Sequence, residues 1–335
     1  LVKSCRTTAC ITLAALSAVS ARAQDAGELP RRGPFEIREE WLLAQPRLTL
    51  PALSPDPLRP GASTLRLDLD WGSDFARRTR RYFVDGEHRS LALSFRRGVS
   101  ECATLGLRLP LRARDGGIMD RFIDAFHGFT KKLGLPDNGR TMFARDQLVV
   151  SGRKSTGEPL AWTGASGSGL GKLEIEGLWS LARRDDSRFA LSLAARLALP
   201  TGTGPFAGGG VETGAQLLLA RSAGRAWDFF SGLGVAHSPR REAEGLGYAR
   251  VRGYGFLGLE WRPGRRWSVI GQYDGATRLL NDVAGYPAYQ SYLRLGLKRD
   301  LGRTLTAEAG FSENILRQQA TTDFGLWFGL TRRFR

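Results

Sequence analysis

Cysteine is scarce in this chain, with Cys5, Cys10 and Cys102 the three among 335 residues. Histidine is as rare, at His88, His127 and His237. The first scarcity excludes a multi-disulfide scaffold and cysteine-built zinc sites. The second leaves no metal-ligand spacing, so neither a metal centre nor a cofactor is expected. Long apolar runs are missing too. Mean hydropathy is -0.25, and no run of the roughly 20 apolar residues that a spanning helix needs occurs. A bundle of membrane helices is therefore excluded.

The one uncharged apolar run covers residues 7–20, with Lys3 and Arg6 before it and Ala21-Arg22-Ala23 after it. That order of basic, apolar and small residues predicts a secretory signal peptide over residues 1–23, cleaved after Ala23. Cleavage removes Cys5 and Cys10, so the processed chain is expected to hold no internal disulfide. Lysine is also sparse, at positions 3, 131, 132, 154, 172 and 298, so arginine dominates a formal charge of +16. Such a charge fits nucleic acid, but export excludes that partner. Arginine's planar fork instead suits phosphate and carboxylate, and the expected partners are outer-membrane lipids, lipopolysaccharide or a small anionic solute.

What is present is alternation. Residues 24–61 are rich in proline (Pro30, Pro34, Pro46, Pro51, Pro55, Pro57, Pro60) and lack a period, which reads as an extended periplasmic segment. Its apolar stretch, Phe35, Ile37, Trp41, Leu42 and Leu43, makes it a candidate plug. From residue 62 to 335 apolar and polar residues alternate, as in Leu65, Leu67, Leu69 and Trp71, or Phe189, Leu191, Leu193, Leu197 and Leu199.

Charges fall on the opposite face. Arg66, Asp68, Asp70, Arg108, Glu174, Glu176, Arg196, Glu212, Arg252, Arg294 and Glu308 are the residues expected to line a lumen. Apolar outside and charged inside inverts a soluble barrel and predicts an all-β fold, a transmembrane antiparallel up-and-down β-barrel of about twelve strands, with ten to fourteen allowed. Residues 147–152 and 160–163 carry that uncertainty, as either a loop hairpin or two further spanning strands.

Links alternate in length. Short ones fall at 97–101, 183–187, 222–226, 263–266 and 300–303. Long ones fall at 72–89, 112–170, 200–210, 237–249, 275–290 and 314–323. Short periplasmic turns and long outer loops place both termini in the periplasm. Trp179, Trp227, Trp261 and Trp267 lie by short links, and Trp71, Tyr273, Tyr289 and Phe324 by long ones, which predicts two aromatic girdles.

The second long loop holds one helical pattern, with Ile118, Met119, Phe122, Ile123, Phe126, Phe129 and Leu133 at intervals of three and four. Gly134 and Pro136 stop it. Asp124 and His127 lie beside the stripe and are the weak candidates for an acid and base in a lipid hydrolase. No nucleophile is placed near them, so the expectation is a structural helix at the barrel mouth and no enzyme.

Several segments resemble a domain-of-unknown-function family of Gram-negative outer-membrane β-barrel proteins. They are Asp85-Gly86-Glu87, Phe122-Ile123-Asp124-Ala125-Phe126-His127, and Gly134-Leu135-Pro136-Asp137-Asn138-Gly139-Arg140. Ser168-Gly169-Leu170-Gly171, Leu199-Pro200-Thr201-Gly202 and Gly258-Leu259-Glu260-Trp261-Arg262-Pro263 continue the likeness. The last two also resemble a wider group of porin-like uptake barrels. Lys172 departs from that pattern, where an acid is usual. The resemblance implies an outer-membrane location, insertion by the barrel-assembly machinery, and a channel or uptake role for a small solute without naming one. A lipid-modifying enzyme and a structural or adhesive surface barrel are the alternatives.

Overall fold

Each alternating segment forms a strand. The computed structural model describes residues 31–38, 41–132, 142–183, 188–314 and 320–334. Its wall consists of β1 (Ser63–Arg78), β2 (Tyr82–Ser100), β3 (Ala103–Asp115), β4 (Leu173–Arg183), β5 (Phe189–Leu199) and β6 (Glu212–Ala223). It continues through β7 (Trp227–His237), β8 (Val251–Gly264), β9 (Trp267–Thr277), β10 (Tyr289–Asp300), β11 (Leu305–Glu313) and β12 (Phe324–Phe334). Every strand pairs antiparallel with its chain neighbour, and β12 closes on β1 with Leu67 opposite Leu330 and Trp71 opposite Leu326. Closure joins the last strand to the first, so the backbone groups along the ring of strands pair across it, as a lipid environment requires.

The pleat then sorts the side chains. Leu67, Leu93, Leu107, Leu217, Leu257 and Phe328 point outward and are exposed, whereas Arg66, Glu174, Arg196 and Glu308 point inward and are buried. A solvent-facing surface of leucine around a charged interior has its natural medium in lipid. Trp179, Trp227, Trp261 and Trp267 stand exposed in a belt near the short turns.

Two expectations change. Residues 72–89 are mostly not a loop, because β1 and β2 stay paired up to Arg78 opposite Tyr82. Lipid-type alternation ends at Trp71, since beyond it Ser73, Asp74, Phe75 and Ala76 are all buried. Both faces are covered there, so the period vanishes while the ladder persists. The hairpin alternative for residues 147–163 also resolves. Val149–Gly152 pairs with the top of β2, and Gly167–Leu170 pairs with the top of β3. Both extend the sheet at the long-loop end, leaving twelve spanning strands.

Helix α1 (Asp120–Lys132) sits against the outer side of the wall, not in the mouth. Met119 and Ile123 are buried with Phe324 and packed on Trp71, Phe311 and Leu326, which belong to the outward faces of β1, β11 and β12. Phe324 is accordingly buried beneath the helix instead of joining a girdle. The helix start is fixed by Glu87, whose carboxylate accepts the Met119 backbone N–H and, at 2.9 Å, the Trp71 indole N–H. A carboxylate there also suits the positive end of the helix dipole. Gly117 makes the approach feasible, because a Cβ at this residue would lie 1.8 Å from the Glu87 carboxyl carbon and its φ is +71°.

Candidate functional site

The lumen is the candidate site, and the chain's own N-terminal segment fills it. Starting at the short-turn end, Arg32 donates to Asp300 at 2.6 Å and to the Ser268 hydroxyl at 2.9 Å, while its backbone N–H meets Glu260. Phe35 then exchanges backbone hydrogen bonds with the Gln272 amide and packs edge-on against Trp327 at 4.9 Å. Arg38 pairs with Glu174 in mid-wall, and its carbonyl accepts from Arg294 at 3.2 Å. Trp41, Leu42 and Leu43 reach the long-loop end, where Leu246, Tyr248, Leu279, Leu280 and Tyr286 surround them.

From there the segment turns back. The Ala44 and Gln45 N–H groups bond to the Trp41 carbonyl, closing a helical turn. Arg47 faces Glu212 at 3.5 Å, Leu48 N–H donates to the same carboxylate, and Pro51 accepts from Gln216 at 3.0 Å. Ala52 and Leu53 lie in an apolar patch of Leu178, Ala194, Leu218, Ala220, Phe230 and Phe256. Leu58 N–H donates to Thr104 at 2.8 Å, and Gly61 bonds to Gly98 beside the β2–β3 turn before β1 begins. The plug is therefore an inverted V with both feet at the short-turn end. Arg31 and Asp56 join those feet at 2.6 Å.

Most of the predicted lumen residues meet an opposite charge, in several separate groups. Arg66 bridges Asp68 at 2.6 Å and Glu308 at 2.5 Å. Glu174 meets Arg196 at 3.4 Å and Arg108 at 3.7 Å in addition to Arg38. Glu176 contacts Arg196 and, at 2.9 Å, Arg96. Arg294 pairs with Asp274 at 2.8 Å, and Lys172 with Glu212 at 3.0 Å. Arg252 bonds to Gln290 at 2.7 Å and to the Thr277 carbonyl at 3.0 Å. Asp70 accepts at 3.1 Å from His88, whose other ring nitrogen faces Asp74 at 2.7 Å, and Asp74 takes the Leu42 N–H from the plug. Arg47 lies over the Tyr248 ring at 4.2 Å, and burial pushes that outer-loop phenol well above its ordinary value, so it stays neutral. A cavity of about 170 Å³ remains between plug and wall near the short turns, bordered by Glu36, Arg66, Arg96 and Glu308.

A family model described as "Protein of unknown function (DUF3187)" matches residues 8–334. This chain belongs to that family. No curated protein is similar to it. Among solved structures, the COG4313 outer membrane channel from Pseudomonas putida F1 is similar at 12% identity, with a TM-score of 0.56 over 83% of this chain and 97% of that one. This likeness shows the fold, that of an outer-membrane channel barrel. Two looser ones are the NanC porin (8% identity, TM-score 0.45, 79% and 98% covered) and the KdgM porin (7%, 0.41, 81% and 99%).

In this DUF3187 barrel some lumen charges are not among the expected ones. Arg96, Glu260, Asp274 and Lys298 share the strand parity of the predicted residues, and that parity was the available signal. Arg32, Glu36, Arg38 and Arg47 carry none, because their segment has no period. The weak catalytic pair is not supported at Asp124, which is ion-paired with Arg145 at 2.7 Å on the outer surface. His127 belongs to α1, and its side chain lies outside the described residues. Among the described residues no cluster of metal ligands occurs.

Proposed function

We propose that the protein is a gated uptake channel of the outer membrane, shut in this structure by residues 31–58 and opened when they leave the lumen. The polarity of the wall beneath the plug carries this reading. Burying ion pairs stabilises a fold no better than apolar packing of similar volume, and often less well. A barrel with only a mechanical duty would be stable with an apolar filling. Here the wall behind the plug offers carboxylates, guanidinium groups, hydroxyls and amides, which water can solvate once the plug moves. Twelve strands enclose more than the eight that side chains alone can fill, and the room taken by two chain limbs is the room a solute gains.

The remaining expectations join this reading. Export by a signal peptide ending at Ala23, short turns and termini in the periplasm, contact with lipopolysaccharide and other outer-membrane lipids, and insertion by the barrel-assembly machinery are mutually consistent. No enzymatic role is proposed, since Asp124 is engaged by an arginine. Liposome swelling tests the channel. Vesicles carrying a variant without residues 31–58 should swell quickly in a monosaccharide, and those with the full processed chain slowly. Equal, slow swelling of both would remove the channel reading. N-terminal sequencing of the processed protein should begin at Gln24.

A further inference from the structure

The β1–β2 hairpin carries a feature that the lumen does not use. We propose that its tip is a binding site for a multivalent anion, a phosphate- or carboxylate-bearing group of about sugar size. An open cavity of about 480 Å³ lies there, lined by Arg77, Arg78, Arg80, Arg81 and Arg153 over Tyr82, Phe83 and Phe143, with no acidic residue among the described residues of its lining. Arg78 donates to the Gly285 carbonyl and Arg153 to the Gly157 carbonyl, both at surface positions. None of the five forms an ion pair among the described residues. In the lumen, by contrast, cations meet carboxylates at nearly every turn.

Five like charges on one concavity repel each other, and the arrangement is relieved by an anion held between them. Guanidinium forks suit phosphate and carboxylate oxygens. The floor is aromatic. Phe83 and Phe143 stack at 4.8 Å, Phe75 packs edge-on against Phe83 at 5.8 Å, and Arg77 lies over Phe143 at 5.2 Å. Such a floor offers a flat surface for the apolar face of a ring.

The backbone adds an independent sign. Arg81 N–H bonds to the Arg78 carbonyl at 2.8 Å, closing a tight hairpin turn in which Arg80 has φ +60°. Glycine closes such a turn without steric cost. Arginine occupies the left-handed position instead, so the tip keeps a charge where a smaller residue folds more easily. Its height also fits an external ligand. From Trp71 at the end of the lipid-type face to Arg77 the strand climbs about 15 Å, allowing for rise and tilt. This is above the acyl region, where the phosphorylated core of lipopolysaccharide and free anions are both within reach.

Titration of the full processed chain in detergent tests the site with two probes, inorganic pyrophosphate and purified lipopolysaccharide with its core phosphates. The wild type should bind, more weakly as salt rises, and R77Q/R80Q/R81Q should bind at least about tenfold more weakly after losing three charge-assisted contacts. Binding of both probes assigns the site to phosphate from either source, and binding of lipopolysaccharide alone assigns it to the lipid headgroup. Absence of binding to either, or equal affinity of wild type and a variant with normal heat-modifiable mobility, overturns the proposal. If the triple variant does not fold, phenylglyoxal labelling of the wild type decides. Pyrophosphate or lipopolysaccharide should slow modification of Arg77, Arg80 and Arg81, and unchanged labelling with both again overturns the site.

Discussion

Arg38 holds three parts of the molecule together. Its guanidinium reaches Glu174 on the wall and the Thr49 carbonyl on the returning limb of the plug, and its own carbonyl receives Arg294. Removing one partner of a buried pair leaves the other charge stranded, yet Glu174 keeps Arg196 and Arg108. The loss from Arg38→Gln should therefore fall below the usual range for a broken buried pair, at about 1–3 kcal/mol. Denaturant unfolding of the inserted barrel reads that loss, and an unchanged midpoint would show that Arg38 does not anchor the plug. Gly117→Ala tests another single position. Its new Cβ meets the Glu87 carboxylate, so α1 should detach and trypsin should cleave faster at Arg121, Lys131 and Lys132 while the barrel stays intact. Cleavage at the wild-type rate would mean that Glu87 does not set the helix start. Charges such as Arg66 or Glu308 were legible from strand parity alone. Arg38 was not, because its partner lies 136 residues away in sequence and no repeat announces its segment.

Strands were the most legible elements, since a wall between lipid and a charged interior forces a period of two. Legibility stopped where the two media stopped. Above Trp71 the β1–β2 hairpin is covered on both faces, so Ser73 to Ala76 lose the pattern and read as loop while remaining in register. The helix was readable from its own stripe, but its seat was not. The residues it covers, Trp71, Phe311 and Phe324, look in sequence like ordinary outward aromatics. Lipid contact of the outer face yields a prediction at this scale. Leu257, on the outward face of β8, is 53% exposed, and Leu257→Arg should cost about 2–4 kcal/mol if it lies near the bilayer midplane. Unfolding titrations in liposomes measure it. A cost near zero would place that face outside the membrane.

At the scale of the whole molecule the decisive relation is between a barrel and a segment that precedes it in the chain. The plug's apolar residues suggested docking, yet the inverted V depends on contacts from Arg32 with Asp300 to Leu58 with Thr104, spread around the wall. No local pattern encodes such contacts, which explains why a charged lumen was legible and its occupant's path was not. The arginines fall into two populations. Most of those in the lumen meet carboxylates, while those at the hairpin tip form no ion pair among the described residues. The central claim is that residues 31–58 are the gate. Single-channel recording in planar bilayers, comparing the full processed chain with a variant lacking those residues, tests it most directly. The full chain should be nearly silent and the variant should give stable ohmic steps. Equal conductance of the two, or silence of a variant that has inserted and folded, would contradict it.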